Sequence, residues 1–252
     1  MSTRIQRSLP RDIQAFLANY RNNVVGTTPP GPSTNHLFYL NKRRCKPDHL
    51  FIDEIHARWT GDYDELEYNH GYIQWIFPIQ EDGVNFSAAK LQPHEIPLMK
   101  NDSQITRRLI TSYIMMLDFY GMHLLSEDTG LLSRSLPPKK FTPRYKNLIR
   151  APHNNLRISR ILKCLSELGL ERFNAAFLLH VLNEQSEHGE LNSPLIRDSM
   201  DRWWANCIRD ESERTWVGRT VAKVRAGEPF TREMYETALE IRRVSGKFPH
   251  DE

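Results

Sequence analysis

The chain has 252 residues, of which 39% are hydrophobic and 26% are charged, and its formal net charge is +3. This length can bury a full hydrophobic core, and the composition is that of an ordinary globular domain rather than a disordered or fibrous chain. So small a net charge argues against nucleic acid as the main partner, because nucleic-acid-binding domains usually carry a clear basic excess.

The cysteines and the apolar runs indicate the setting of the protein. Cys45, Cys164 and Cys207 lie far apart and show no CxxC or CxxH spacing, which favours reduced thiols and predicts no metal site. No apolar run approaches the roughly 18–20 residues that span a bilayer, and the first residues lack the apolar segment of a secretion signal. We therefore expect an intracellular soluble protein, cytoplasmic or nuclear, without a transmembrane segment.

Helical periodicity recurs along the chain, whereas alternating runs of β-branched residues are absent. Helices are predicted over 10–20, 47–59, 62–75, 103–120, 152–168, 171–186, 194–209, 212–225 and 231–244. Irregular segments are predicted over 27–34, 80–93 and 126–143. The pattern therefore predicts an all-α fold, a single globular multi-helix domain with long irregular loops.

The same reading divides the chain into three parts. Residues 1–34 are predicted to hold an N-terminal helix and a Pro/Gly-rich linker, and residues 35–246 a single helical domain. Residues 247–252 are predicted to be a frayed tail, as chain ends often are.

Charge is distributed unevenly between two of the predicted segments. Residues 129–166 contain nine Lys or Arg residues and no Asp or Glu, whereas residues 53–67 contain six acids and one Arg. A fold that joins these segments would build a charge-matched polar centre. A fold that separates them would leave a basic surface for an anionic partner.

The predicted helix over 152–168 carries polar stripes on both borders of its apolar face. His153, Arg157 and Arg160 lie on one border, and Asn155 and Lys163 lie on the other. A cation at such a border is half-buried and needs a partner, either a structural carboxylate or an anionic ligand. The free backbone N–H groups at the start of this helix also favour anions.

The predicted helix over 62–75 places Glu67, His70 and Gln74 on one face, with Asp64 alongside. A Glu and a His one turn apart can form an acid–base pair or contribute to a metal site that takes further ligands from another helix. They can equally form a buried polar cluster that only holds helices together.

If these two helices face each other, they enclose a polar pocket for an anionic or zwitterionic ligand. The predicted ligand-binding residues are Asp64, Gln74, Tyr72, Trp75, His153, Asn154, Asn155, Arg157, Arg160 and Lys163. Glu67 and His70 are the predicted catalytic pair if the protein is an enzyme.

Two long segments carry a family resemblance. They are Tyr63-Asp64…Glu67…Asn69-His70…Tyr72-Ile73-Gln74-Trp75 and His153-Asn154-Asn155-Leu156-Arg157-Ile158. With shorter motifs such as Gly83-Val84-Asn85, they resemble the conserved domain of the opioid growth factor receptor family over roughly residues 35–205. The resemblance implies a receptor-like domain, since the animal founder is described as a nuclear-envelope-associated receptor for the peptide Met-enkephalin. It implies no catalytic residues.

Two function classes follow from these residues. The first is a binding domain for a peptide or small molecule, in which Glu67 would bind an amine and Arg157 a carboxylate. The second is a lyase, cyclase or isomerase with an anionic or prenyl diphosphate substrate and His70 as general base. The sequence does not determine the oligomeric state.

The Asn155-x-x-x-Ser159-x-x-x-Lys163 stripe partly resembles that of class I terpene synthases. It has Lys163 where those enzymes have a carboxylate, and Asp64-x-x-Glu67 replaces their Asp-rich motif. No cofactor is required by the sequence, although Mg²⁺ would accompany a bound diphosphate.

Overall fold

The computed structural model describes residues 9–20 and 33–249, most of which are helical. The α-helices in chain order are α1 (Arg11–Leu17), α2 (Thr34–Tyr39), α3 (Ile52–Trp59), α4 (Tyr63–Tyr68), α5 (Ile73–Ile76), α6 (Glu95–Lys100), α7 (Ser103–Phe119), α8 (Phe141–Arg150), α9 (His153–Glu167), α10 (Arg172–Glu187), α11 (Pro194–Arg202), α12 (Glu211–Arg225) and α13 (Arg232–Ser245). Trp204–Asn206 is a short 3-10 helix, and β1 (Met122–Leu124) pairs antiparallel with β2 (Leu132–Arg134). The predicted all-α fold class is confirmed, with one small two-stranded sheet added.

Helix α10 lies at the centre of the core. Buried residues occur on every side of it, as expected for a helix surrounded by others. Helix α7 packs beside it, with the Tyr113 ring stacked on Phe173 at a centroid distance of 5.2 Å. Helix α9 packs on α10 with its apolar face, and its two polar borders contact the N-terminal half of the chain.

Helix α7 begins and ends as its sequence predicts. The Asp102 side chain accepts hydrogen bonds from the backbone N–H groups of Gln104 and Ile105, which satisfies two of the unpaired donors of the first turn. Gly121 follows the helix with φ at +82°. A side chain there would be strained and would also lie 2.8 Å from Arg144 Cβ.

The predicted helix over 62–75 is wrong, because the chain breaks between α4 and α5. The side chain of Asn69 accepts a hydrogen bond from the N–H of Gly71, so a local Asx turn replaces helical hydrogen bonds. Asn69 itself is extended, with ψ at 124°. Glu67, His70 and Gln74 therefore do not share one helical face.

Other boundaries also differ from the predictions. The helix predicted to start at 47 begins at Ile52, where Glu54 accepts a hydrogen bond from the N–H of Phe51. The predicted loop over 126–143 contains β2 and the start of α8, and the helix predicted over 194–209 ends at Arg202.

The segments at both ends of the domain are only partly described. Residues 27–32 of the predicted linker lie outside the described residues, and Thr34 belongs to α2. In the predicted tail, Phe248 stacks on Trp216 at a centroid distance of 4.4 Å, while residues 250–252 lie outside the described residues.

Candidate functional site at the junction of α4 and α9

Arg157 holds the end of α4 in place. Its guanidinium donates hydrogen bonds to the backbone oxygens of Leu66, Glu67 and Asn69 at 2.7, 3.1 and 3.0 Å. These carbonyls lack helical partners because α4 stops at Tyr68, and the guanidinium satisfies them instead. Arg157 is only 5% exposed, so its main role is to fix the backbone that carries Glu67.

The carboxylate of Glu67 is held by two amides. Asn147 donates to Oε2 at 2.7 Å, and Asn154 donates to the same oxygen at 3.3 Å. Asn154 is in turn fixed by Arg157, which donates to its Oδ1 at 3.2 Å. The side chain of Glu67 remains 14% exposed, so the carboxylate is oriented by the fold and still reachable from solvent.

Two histidines stand beside this carboxylate. Nε2 of His153 lies 2.9 Å from Oε1 of Glu67, close enough for an ion pair but not aligned as a hydrogen bond. The rings of His153 and His70 are 5.3 Å apart. Burial and the nearby Arg157 charge lower the pKa of His153, which favours the neutral imidazole at neutral pH.

Exposed apolar and aromatic side chains lie next to these groups. Tyr68, directly after Glu67 in the chain, is 76% exposed, and its backbone oxygen lies 2.7 Å from Nδ1 of the exposed His70. Leu156, one turn after His153 on α9, is 72% exposed.

Gln74 and Asn85 fix a neighbouring loop. Oε1 of Gln74 accepts a hydrogen bond from the N–H of Asn85, and Nδ2 of Asn85 donates to the backbone oxygen of Gly71 at 2.8 Å. Gly83 allows this packing, because a Cβ there would lie 2.3 Å from the Gln74 side chain. The loop presents Phe86, which is 98% exposed, close in the structure to the turn that holds His70.

Tyr72, Trp75 and Asn155 are buried among other residues. The hydroxyl of Tyr72 donates to the backbone oxygen of Leu66 at 3.0 Å, and the indole of Trp75 donates to that of Lys46 at 3.0 Å. Asn155 is also buried, and its backbone oxygen accepts a hydrogen bond from the Trp204 indole. These three residues support the site from within the core.

The remaining predicted cations lie farther along α9. Arg160 donates to the backbone oxygens of Phe77 and Asp82 at 3.2 and 3.4 Å. Lys163 forms ion pairs with Asp12 and Glu81 at 2.9 and 2.7 Å. Because ten residues of helix span about 15 Å, Lys163 is far from His153, and the predicted ligand-binding residues fall into two separate groups.

Other predicted features can be placed briefly. Asp64 is exposed in the first turn of α4. In the part of the chain that the structure describes, no three His, Cys, Asp or Glu side chains come close enough together to hold a metal ion. No helix within 9–20 or 33–249 is long and apolar enough to cross a membrane.

Two residues of this site were missed by sequence reasoning. Asn147 belongs to α8, a helix that the predicted elements did not include, so its approach to Glu67 had no sequence signal. Leu156 stands inside the motif His153-Asn154-Asn155-Leu156-Arg157, and an apolar residue on the polar side of an amphipathic helix was the signal that could have found it.

Comparison with known families now identifies the relationship that the motifs suggested. The model of the opioid growth factor receptor (OGFr) conserved region matches residues 29–232. The chain belongs to this family. It is 39% identical over 204 residues to the opioid growth factor receptor of Homo sapiens, covering 81% of this chain and 29% of that protein. No solved structure matches the chain.

Opioid growth factor receptor-like proteins are similar to the same extent. The Xenopus tropicalis protein is 38% identical over 204 residues, covering 81% of this chain and 39% of the relative. The Rattus norvegicus protein is 40% identical over 190 residues, covering 75% of this chain and 40% of the relative. The chain therefore spans less than half the length of these relatives. Their names give no support to the alternative prediction of a lyase, cyclase or isomerase.

Proposed function

We propose that the chain is a ligand-binding domain that holds the amino group, or another cationic group, of a peptide against Glu67. The residues that bind it are Glu67, His70, His153, Tyr68 and Leu156. Relatives named opioid growth factor receptor support a peptide factor as the ligand class.

The partners of the Glu67 carboxylate carry this proposal. Among the described residues they are the amides of Asn147 and Asn154 and the imidazole of His153, whose neutral form is favoured. The guanidinium of Arg157 donates its hydrogen bonds to the backbone oxygens of this turn and to Asn154, not to the Glu67 carboxylate. The negative charge is therefore oriented by the fold but left for a cationic group to neutralise.

The surroundings suit a peptide rather than a bare cation. Tyr68 and Leu156 offer exposed aromatic and aliphatic surface, and His70 and His153 offer rings that can contact a side chain or accept a hydrogen bond. The carboxyl group predicted for Arg157 is not part of the proposal, because both terminal nitrogens of that guanidinium already donate two hydrogen bonds each within the protein.

Calorimetric titration with Met-enkephalin, the peptide that the family resemblance implies, tests the proposal. The free peptide is compared with its N-acetylated form, which lacks the positive charge. We expect the acetylated peptide to bind at least tenfold more weakly, which corresponds to about 1.4 kcal/mol.

Glu67→Gln is the decisive variant, and Glu65→Gln on the same helix is its matched control. Glu65 also accepts a hydrogen bond from an asparagine amide, that of Asn69, so both variants remove one carboxylate held by an amide. Binding should weaken at least tenfold in the first and stay unchanged in the second, with both melting normally. Equal affinity in the two variants would reject Glu67 as the binding group, and a wild type that binds neither peptide would reject the ligand class.

A further inference from the structure

Helix α1 fills an apolar groove on the body of the domain. Ile13 and Phe16 of this helix are fully buried, and Tyr20 just after it is nearly so. Helix α1 has only seven residues, and isolated helices of this length are not stable in water. Its conformation therefore depends on the groove that holds it.

Polar contacts fix the position of α1 on this groove. The carboxylate of Asp12 pairs with Lys163 of α9 at 2.9 Å, and the hydroxyl of Tyr20 donates to Glu81 at 2.8 Å. The guanidinium of Arg209 lies over the Phe16 ring, 4.5 Å from its centroid. The groove thus joins Ile13 and Leu17 to the hydrophobic core and places two cations, Lys163 and Arg209, against Asp12 and Phe16 of α1.

Lys163 is the polar centre of the groove. Its side chain is only 3% exposed, although it carries an ammonium group. Burial alone would lower its pKa, but the ion pairs with Glu81 and Asp12 outweigh burial and raise it. Without Asp12 the ammonium would keep Glu81 and lose one of its two carboxylate partners.

The residues that form the groove and the helix that fills it lie on different sides of the boundary of the family match. Glu81, Lys163 and Arg209 lie within the family match over residues 29–232, whereas α1 precedes it. These three residues of the groove therefore lie inside the matched region, and the helix that fills the groove lies outside it.

We propose that this groove is a docking site for an amphipathic helix of a partner protein, and that α1 is a competitor built into this chain. The partner helix would reproduce the spacing of α1, a carboxylate followed by apolar residues one and four positions later, as in Asp12, Ile13 and Phe16. The carboxylate would pair with Lys163 and an aromatic ring would lie under Arg209, a helix-in-groove mode of recognition. Because α1 is tethered through residues 21–32, it competes at an effective concentration on the order of mM, as short tethers do.

A fluorescent synthetic peptide of residues 9–20, added to the full-length chain, tests the proposal by anisotropy. The wild type, whose groove is filled, should bind it weakly, and Ile13→Ala combined with Phe16→Ala should bind it at least tenfold more tightly. A peptide with Asp12→Asn and one with Phe16→Ala are matched controls that leave the protein unchanged, and each should bind the double variant at least tenfold more weakly. Binding of all three peptides alike, or of none, to a folded double variant would overturn the proposal.

A second measurement covers the case in which the double variant does not fold. In the wild type, excess unlabelled peptide should speed amide hydrogen exchange in α1 while exchange in α10 stays unchanged. The Asp12→Asn peptide should produce at least tenfold less of this effect at the same concentration. If neither peptide changes exchange in α1, no exchangeable docking site exists.

The size of the molecule in solution separates a partner protein from a second copy of this chain. Sedimentation of the wild type should give a monomer that remains one as concentration increases. A dimer that disappears in the Asp12→Asn protein would show that α1 docks on a second copy, which would overturn the choice of a partner protein.

Discussion

The two ends of α9 carry similar polar residues but satisfy them in opposite ways. At the N-terminal end, Arg157 donates to neutral backbone oxygens, and within residues 9–20 and 33–249 the Glu67 carboxylate has no ion pair with a Lys or Arg side chain. At the C-terminal end, Lys163 is neutralised by Asp12 and Glu81 and covered by α1. We call the N-terminal end the open end, because our proposal places a ligand there, and the C-terminal end the closed end, because α1 covers it. The presence of a cation near a carboxylate does not show whether the two form an ion pair. The hydrogen-bond partners of the cation must be known first.

The largest effect should come from removing Arg157. Arg157→Met removes the hydrogen bonds that Arg157 donates to three backbone oxygens and to Asn154, and of these oxygens Leu66 O keeps the Tyr72 hydroxyl, so we expect a loss of about 3 kcal/mol of unfolding free energy. Arg150→Met, an exposed arginine at the end of α8, is the matched control and should change stability by less than about 0.5 kcal/mol. Urea denaturation measures both. Similar small losses would mean that Arg157 does not hold α4 in place.

Acid should destabilise the core through His180. Burial and the charges of Arg232 and Arg134 lower the pKa of His180 to about 3, from 6.5 in the unfolded chain. Below pH 6.5 the unfolded state binds a proton that the folded state does not, so stability present above this pH is lost as pH falls towards 3. Between pH 6.5 and 5 this amounts to about 2 kcal/mol.

His180→Gln keeps a donor or acceptor near the Tyr145 hydroxyl, which lies 3.1 Å from His180 Nε2. The variant should show a flatter dependence of unfolding free energy on pH over this range, measured by urea denaturation at several pH values. An unchanged slope in His180→Gln would assign the acid sensitivity to other groups.

Removing the ion pairs of Lys163 at the closed end should lower the unfolding free energy less than removing Arg157 at the open end. In Lys163→Met, the carboxylates of Asp12 and Glu81 lose their cation but are partly exposed and can be hydrated, so we expect a loss of about 1–2 kcal/mol. Lys146→Met, an exposed lysine of α8, should change stability by less than about 0.5 kcal/mol. A loss above that of Arg157→Met would reverse the proposed difference between the two ends.

The smallest effect on stability should come from the open end itself. Tyr68 and His70 are exposed, so Tyr68→Ala and His70→Ala should each change the unfolding free energy by less than about 0.5 kcal/mol. Thermal melting measures this directly. Each variant should nevertheless weaken peptide binding, and a large loss of stability in either would indicate a structural role instead.

The predictions from sequence succeeded where local patterns carry the information. Helix α7 follows its apolar periodicity from the Asp102 cap to Gly121, and α9 follows its own from His153 to Glu167. The break between α4 and α5 could not be predicted in this way. Asn69 and Gly71 form a turn that competes with helix, and the carbonyls left open there are satisfied by Arg157, which lies 88 residues from Asn69 in the chain.

The candidate site was predictable in part. Glu67, His70, His153 and Asn154 were identified from their motifs, and they do come together at one junction. Asn147 and the separation of Lys163 from that junction were not predictable, because both depend on how α8, α9 and α1 pack.

The sequence by itself determined that this protein is helical and which family it belongs to. Helical periodicity is a local property, and long motifs identify relatives without any knowledge of the fold. Only the tertiary structure decided that Arg157 supports the backbone, that amide groups hold the Glu67 carboxylate and that Lys163 is covered by α1. Burial determines which polar groups must find partners, and those partners come from segments distant in the chain.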